Sequence, residues 1–256
     1  NPTSNVSVDD GATGNALETS INRMNVSVLD AGGEIAIDNS GYALFMGPGA
    51  PADVNPAPGL TASMWVRNDN SITVQNWQID AFDNVGLIAT AGNVTIPQLG
   101  DGAAAGTYDI SVGTGTVRLE AATGDVTDGT AFIEVAAEDF IIKSNTDETL
   151  YTSVTNFDGL LNDGSLTVWE ETAVNIKDID SDTYAVYVAD GNFTLTTAAG
   201  SVTAANITLV TDGTDEGTRA GLIDIAVNGG SFSMNSGSIQ SINNVDDNVA
   251  GGLGAD

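Results

Sequence analysis

The feature that most limits what this chain can fold into is a short motif that recurs along it. Thr107 to Asp128 reads TYDISVGTGTVRLEAATGDVTD, and Thr183 to Ala204 reads TYAVYVADGNFTLTTAAGSVTA. The two align without a gap: Ile110 with Val186, Val112 with Val188, Val117 with Phe193, Leu119 with Leu195 and Val126 with Val202. Gly115 falls on Gly191 and Gly124 on Gly200. A third copy runs from Leu222 (LIDIAVNGGSFSMNSGSIQS) with a deletion before Gly237, and a fainter one (NVSVLDAGGEIAIDNSG) begins at Asn25. Each copy has one grammar: two apolar residues flanking a third position, a Gly or Asp-Gly corner, a second such stretch, another corner, then a third. Alternation with period two puts every second side chain on a buried face. One unit of this kind cannot bury its apolar face alone, and stacking the next unit on it completes a core.

The expected fold is therefore all-β, a parallel right-handed β-helix or solenoid with short irregular coils. The alternative is an antiparallel β-sandwich or jelly roll, because Val186 to Leu195 (VYVADGNFTL) also reads as a hairpin closed by Asp-Gly. The copies start at 107, 183 and 222, so the coils must differ in length or carry inserted loops. Residues 1–24 read as an N-terminal arm with a short capping helix, since Leu17, Ile21 and Met24 follow Asn15 at helical spacing. Residues 25–245 form the solenoid-like domain. A loop near 47–58 holding four of the six prolines interrupts it. FIEVAAEDFIIK, ending at Lys143, reads as strand, and 246–256 is a Gly-rich tail. The start Asn1-Pro2-Thr3 reads as a processed N-terminus.

Composition narrows the function. With 35 acidic residues against 6 basic ones the formal net charge is −29, so nucleic acid and anionic lipid are disfavoured partners. The 30 glycines and the scarcity of basic residues suit short strands joined by tight turns. A saline or calcium-rich exterior would screen the self-repulsion. There is no Cys and no His, which removes disulfides, thiolate nucleophiles and the commonest general base and metal ligand. No apolar run is long enough to span a membrane.

Three kinds of candidate site stand out. Asp178, Asp180 and Asp182 in KDIDSDTY place oxygen ligands at alternate positions of a tight loop, as Ca²⁺ binding requires. The plainer reading is a solvated acidic corner, and an EF-hand is excluded because Thr183 and Ala189 stand where it needs Gly and Glu. A second acidic loop holds Asp212, Asp215 and Glu216, and the chain ends in GGLGAD, a truncated calcium nonapeptide. Asn5, Asn25, Asn93, Asn192 and Asn206 head Asn-x-Ser/Thr sequons and are glycan-acceptor candidates. Val6 and Val8 alternate in the N-terminal arm and are candidate plugs for strand addition to a neighbour.

No catalytic set emerges. Among Arg67, Arg118 and Arg219, neither Arg118 nor Arg219 has an evident acid–base partner, and Trp65, Trp77 and Trp169 read as core or rim residues. The runs GTVRLEAATGDV and DGNFTLTTAAGSVTAANITL resemble β-helical exoproteins of the filamentous haemagglutinin type, over 107–245 and more loosely over 25–100. That resemblance implies an extracellular scaffold or adhesin and carries over no functional residue.

The expectation is a non-enzymatic, secreted structural subunit of an extracellular filament or surface layer, joined to copies of itself by β-strand pairing. No cofactor beyond a structural calcium is expected. The alternative is a monomeric adhesin that binds glycans; a virion structural protein or a polysaccharide-degrading β-helix ranks below both.

Overall fold

The computed structural model describes residues 17–24, 34–46, 62–75, 79–80, 82–96, 108–128, 132–182, 184–211 and 221–243. Among them there is no helix, only strands. In the first half, longer and shorter strands alternate: β1 (Leu17–Thr19), β2 (Arg23–Met24), β3 (Glu34–Asn39), β4 (Leu44–Met46), β5 (Ser63–Asn68), β6 (Ile72–Val74), β7 (Asn84–Ala89) and β8 (Val94–Thr95). Then come β9 (Ile110–Ala121), β10 (Val126–Thr127), β11 (Ile133–Ser144) and β12 (Glu148–Leu161). The last are β13 (Leu166–Glu170), β14 (Val174–Ile176), β15 (Val186–Ala189), β16 (Phe193–Thr197), β17 (Val202–Thr211), β18 (Ile223–Val227) and β19 (Phe232–Asn243). FIEVAAEDFIIK is strand, as its alternation suggests. Leu17, Ile21 and Met24 do not form the expected helix: Leu17 and Met24 lie in separate strands, β1 pairing with β3 and β2 with β4. Partnering by a neighbouring strand overrides the weak helical spacing of so short a segment.

All strand pairs are parallel, in a 14-stranded sheet and a 5-stranded sheet. One line of register partners runs through the larger sheet: Leu17, Ile37, Val66, Leu87, Leu119, Ile142, Gly159, Val186, Ile207, Ile239. From Ile37 to Ile207 the apolar side chains on this line are buried. Parallel neighbours need a crossover connection, so the chain returns to the same end of the sheet before each new strand. The return path varies in length, from 17 residues between Ile142 and Gly159 to 32 between Leu87 and Leu119.

The antiparallel alternative is not what forms. Val186–Ala189 and Phe193–Thr197 do not pair with each other; β15 pairs with β12 and β17, and β16 with β13 and β18. The Asp190-Gly191 corner sends the chain onward to a new face instead of back along the old one. Asp190 has φ +57°, and a Cβ at Gly191 would sit 1.9 Å from the carbonyl oxygen of Gly164 below it. Corners thus stack directly on corners, and only glycine fits there. Their backbones join from rung to rung, with Leu44 N–H donating to Ser71 C=O at 2.8 Å, Ile72 to Asn93 at 2.8 Å and Val94 to Asp125 at 2.9 Å.

Two buried amides complete one corner. Asn39 donates from Nδ2 to Asn68 Oδ1 at 3.0 Å, and Asn68 Nδ2 donates to the carbonyls of Ser71 (2.8 Å) and Tyr42 (3.1 Å). Inside a dry core such groups are tolerated because their hydrogen bonds are made.

Candidate functional site

The site grows out of one corner of this stack. β12 turns it without breaking: Asn156 and Phe157 pair with β14, and Gly159 to Leu161 pair with β15. β17 turns the same corner through Asn206, which has φ +49°. Between β14 and β15, however, the chain inserts residues 177–185 there, and this insert carries the acidic run. It folds back over the outer surface of β9, β11 and β12, where Arg118, Ile141 and Asp158 are successive register partners.

Asp158 is buried beneath the insert, and its Oδ2 accepts the N–H groups of Ile179 (2.7 Å) and Asp180 (3.4 Å). Asp178 Oδ1 accepts Ser181 N–H at 2.6 Å and Asp182 N–H at 3.2 Å, holding Ser181 at φ +69°. Asp180 Oδ2 lies 2.6 Å from Lys143 Nζ and 3.2 Å from an Arg118 nitrogen, and Lys143 also reaches Asp182 at 2.8 Å. Arg118 in turn meets Glu120 at 2.7 Å. Arg118 therefore does have acidic partners, Glu120 on its own strand and Asp180 in a loop about sixty residues further along, the second at a distance no local pattern could reveal.

Electrostatics divide the cluster. Burial, together with the charges of Asp180 and Asp182, pushes the Asp158 carboxyl up to about 7, against the opposing pull of its backbone hydrogen bonds. Burial would also raise Asp180, but the bond and charge of Lys143 and the charge of Arg118 prevail and hold it below the ordinary carboxylate range. For Lys143, burial works downward and is outweighed by bonds to Asp180 and Asp182, so the ammonium is held above its usual range.

Carboxylate oxygens of Asp158, Asp178 and Asp180 lie within 4.8 Å of one another, an acidic cluster of a size that could hold a metal ion. Asp180 Oδ1 is buried and has no hydrogen-bond partner among the described residues. Hard oxygen donors of this kind suit Ca²⁺ or Mg²⁺ rather than a transition metal. Of the sequence candidates, Asp178 and Asp180 come together, whereas Asp182 is turned to Lys143 and Asp158 takes its place. Nothing local marks Asp158 in the sequence, because it sits at an ordinary outward position of a strand.

The sequons divide by position. Asn5 and Asn25 lie outside the described residues, as do Val6, Val8, Asp212, Asp215, Glu216, Arg219, Trp77, the proline-rich loop near 47–58 and the GGLGAD tail. Asn93 Oδ1 accepts Asp125 N–H at 3.0 Å, and Asn192 Oδ1 accepts Leu222 N–H at 2.8 Å. Both amides thus brace the next corner, and Asn192 is exposed. Asn206 is half-buried at its turn.

A second acidic feature is a cleft of about 440 Å³ lined by Asp125, Asp128, Asp147, Glu148 and Phe132. Glu148 is buried, accepts the Ser144 hydroxyl, and is pushed up to about 8 by burial and then by Asp125 and Asp128. On the outer surface nearby, exposed Trp169 stands in register with Tyr151, whose hydroxyl donates to Glu171 at 3.0 Å; Tyr108 donates to the same carboxylate at 2.7 Å.

Fold and site together define an all-β protein of parallel sheets with an acidic cluster inserted at one corner. No family model, curated protein or solved structure matches the chain. No helix among the described residues is long and apolar enough to cross a membrane.

Proposed function

We propose that the chain is a β-solenoid and acts as a structural subunit of an extracellular filament or surface layer, built by strand pairing between copies. The observation that carries this reading is the single line of register from Leu17 to Ile239. Ten successive partners, all parallel, are the ladder of a chain wound repeatedly over one core. Such a rod resists bending along its axis and presents unpaired strands at its ends, which is the geometry a polymer uses. The acidic composition and the lack of cysteine accord with a saline exterior. The arm with Val6 and Val8 is a candidate donor strand.

In this reading the Asp158, Asp178 and Asp180 cluster holds a structural calcium that fastens the 177–185 insert to the strands beneath it. Calcium would neutralise the excess of carboxylates over Lys143 and Arg118. Electron microscopy of the purified chain tests the polymer, and melting with and without chelator tests the ion.

A second reading is favoured by one observation, the exposed Trp169 beside Tyr151 and Glu171. An aromatic shelf next to fixed carboxylates suits stacking and hydrogen bonding of a sugar, so a glycan-binding adhesin is the alternative. A glycan array on the monomer separates the two.

A further inference from the structure

The side of the stack carries a patch that the acidic insert does not use. On β13, Val168 and Glu170 are buried, so Trp169 between them is outward, and it is 47% exposed. Its register partners are Tyr151 of β12 on one side and Thr196 of β16 on the other, followed by Ala226 of β18. An indole thus stands beside two small residues. Strands about 4.8 Å apart make the strip from Trp169 to Ala226 roughly 10 Å wide, enough to seat one sugar ring against the indole.

A carboxylate is fixed beside this strip, two residues beyond Trp169. Glu171 Oε2 accepts the Tyr108 hydroxyl at 2.7 Å and Oε1 accepts the Tyr151 hydroxyl at 3.0 Å, so both oxygens are held. Of the roughly four acceptor positions on a carboxylate, the phenols take two and leave two for another donor. Glu171 is half-buried and so within reach of a ligand.

Phenol donors orient this carboxylate without neutralising it. β12, β13, β16 and β18 contain no Lys or Arg. Elsewhere, Arg67 is engaged by Asp38, Arg118 and Lys143 by Asp180, and Lys177 by Asp139. Asp224 adds an exposed carboxylate on β18. Burial, the bond to Glu171 and the charges of Glu171, Glu134 and Glu170 together hold the Tyr151 phenol above its usual range, a mark of the negative field here.

These groups select a cation with an apolar face. The face of an indole attracts a cation, and a fixed carboxylate pairs with it through charge-assisted hydrogen bonds. An anionic ligand is repelled by a chain whose net charge is −29. A bare ammonium, such as a lysine side chain, is held best by a cage of several aromatic walls. Here a single exposed indole borders an open strip with the hydroxyls of Thr167, Thr194 and Thr196, of which Thr167 and Thr194 are in register. Rows of hydroxyls suit the hydroxyls of a sugar better than a peptide.

We infer that Trp169, Tyr151 and Glu171 form a binding site for a polysaccharide bearing protonated amines, with a sugar ring against Trp169 and an ammonium on Glu171. This rests on the glycan-binding reading above and names its ligand. It does not depend on how the ends of the stack are covered.

The full chain is titrated by calorimetry at mildly acidic pH with short chitosan oligomers, whose amines are then protonated. Fully N-acetylated oligomers of the same length and polylysine are the comparisons. Chitosan oligomers are expected to bind, the acetylated ones about tenfold more weakly, and added salt to narrow the difference. Trp169→Ala, at an exposed position, is expected to lose about tenfold in affinity for chitosan with its melting temperature unchanged. Glu171→Gln keeps an oxygen for the phenols and is expected to bring the two oligomers to similar affinity. Equal binding of both oligomers to wild type overturns the ammonium assignment and leaves the glycan reading standing. Polylysine bound as tightly as chitosan, or chitosan binding undiminished in Trp169→Ala, reduces the attraction to bulk charge and overturns the site. If neither oligomer binds, the glycan reading falls with the inference.

Discussion

The carboxylate of Asp158 accepts the backbone N–H of Ile179 at 2.7 Å, so a side chain on one strand fixes a loop inserted at the corner of the next rung. The bond needs an acceptor and does not need a charge. Asp158→Asn keeps the acceptor and is expected to leave the melting temperature at pH 7.5 unchanged or raised, because a buried carboxyl no longer has to ionise. Asp158→Ala removes the acceptor, leaves the part-buried N–H of Ile179 without it, and is expected to cost about 1 kcal/mol in urea unfolding.

Three buried carboxyls give the stability a pH dependence of definite sign. In the folded chain Glu148 titrates at about 8, and Asp158 and Glu170 at about 7, each raised chiefly by burial. The unfolded chain ionises these groups near the ordinary value of about 4. Below that value both states hold the protons and the contribution is fully present; it is lost as pH rises through 7 to 8. Asp180, held low, acts in the opposite sense only as pH falls below the ordinary range. Thermal melts from pH 4.5 to 8.5 are therefore expected to show a falling melting temperature, with Glu148→Gln flattening the upper part. A temperature that rises across that range contradicts the assignment.

A bound ion would couple to the same groups. Calcium must displace the proton that Asp158 keeps near neutrality, so binding is expected to weaken as pH falls below 7 and to release protons. Saturating calcium at about a hundred times its dissociation constant stabilises the fold by about 2.7 kcal/mol. The expected result is a higher melting temperature in calcium, reversed by EGTA and absent in Asp178→Asn. An unchanged melting temperature in EGTA removes the ion from the account.

Asn68 makes a prediction free of any ion. Its amide accepts from Asn39 and donates to two carbonyls, so Asn68→Ala leaves Asn39 Nδ2 and the part-buried carbonyls of Tyr42 and Ser71 each with one partner fewer. A loss of about 2 kcal/mol is expected in urea unfolding. Asn39→Ala breaks as many bonds, because Asn39 also accepts Ile21 N–H at 2.9 Å and donates to Ile21 C=O at 3.0 Å, and it is expected to cost a similar amount.

Class and strand pattern were legible because period-two alternation and glycine corners act locally. Which face each stretch occupies was not. Leu119 and Leu195 align in the sequence, yet Leu119 lies in register with Leu87 and Ile142, and Leu195 with Val168 and Ile225. The repeating unit is a stretch, a corner and a stretch, and the successive faces share that grammar, so a gapless alignment can slip by one face unnoticed. The acidic site was half legible for a similar reason. Spacing brought forward Asp178 and Asp180, but Asp158 enters only because the corner it occupies is where the insert folds back. Spacing also brought forward Asp182, which the fold gives to Lys143.

Negative-stain electron microscopy of the purified chain, with and without calcium, decides whether the proposed rod polymerises through its ends. Uniform unbranched filaments whose subunits repeat along the rod axis are expected. Dispersed short particles at every concentration and calcium level would contradict the polymer reading.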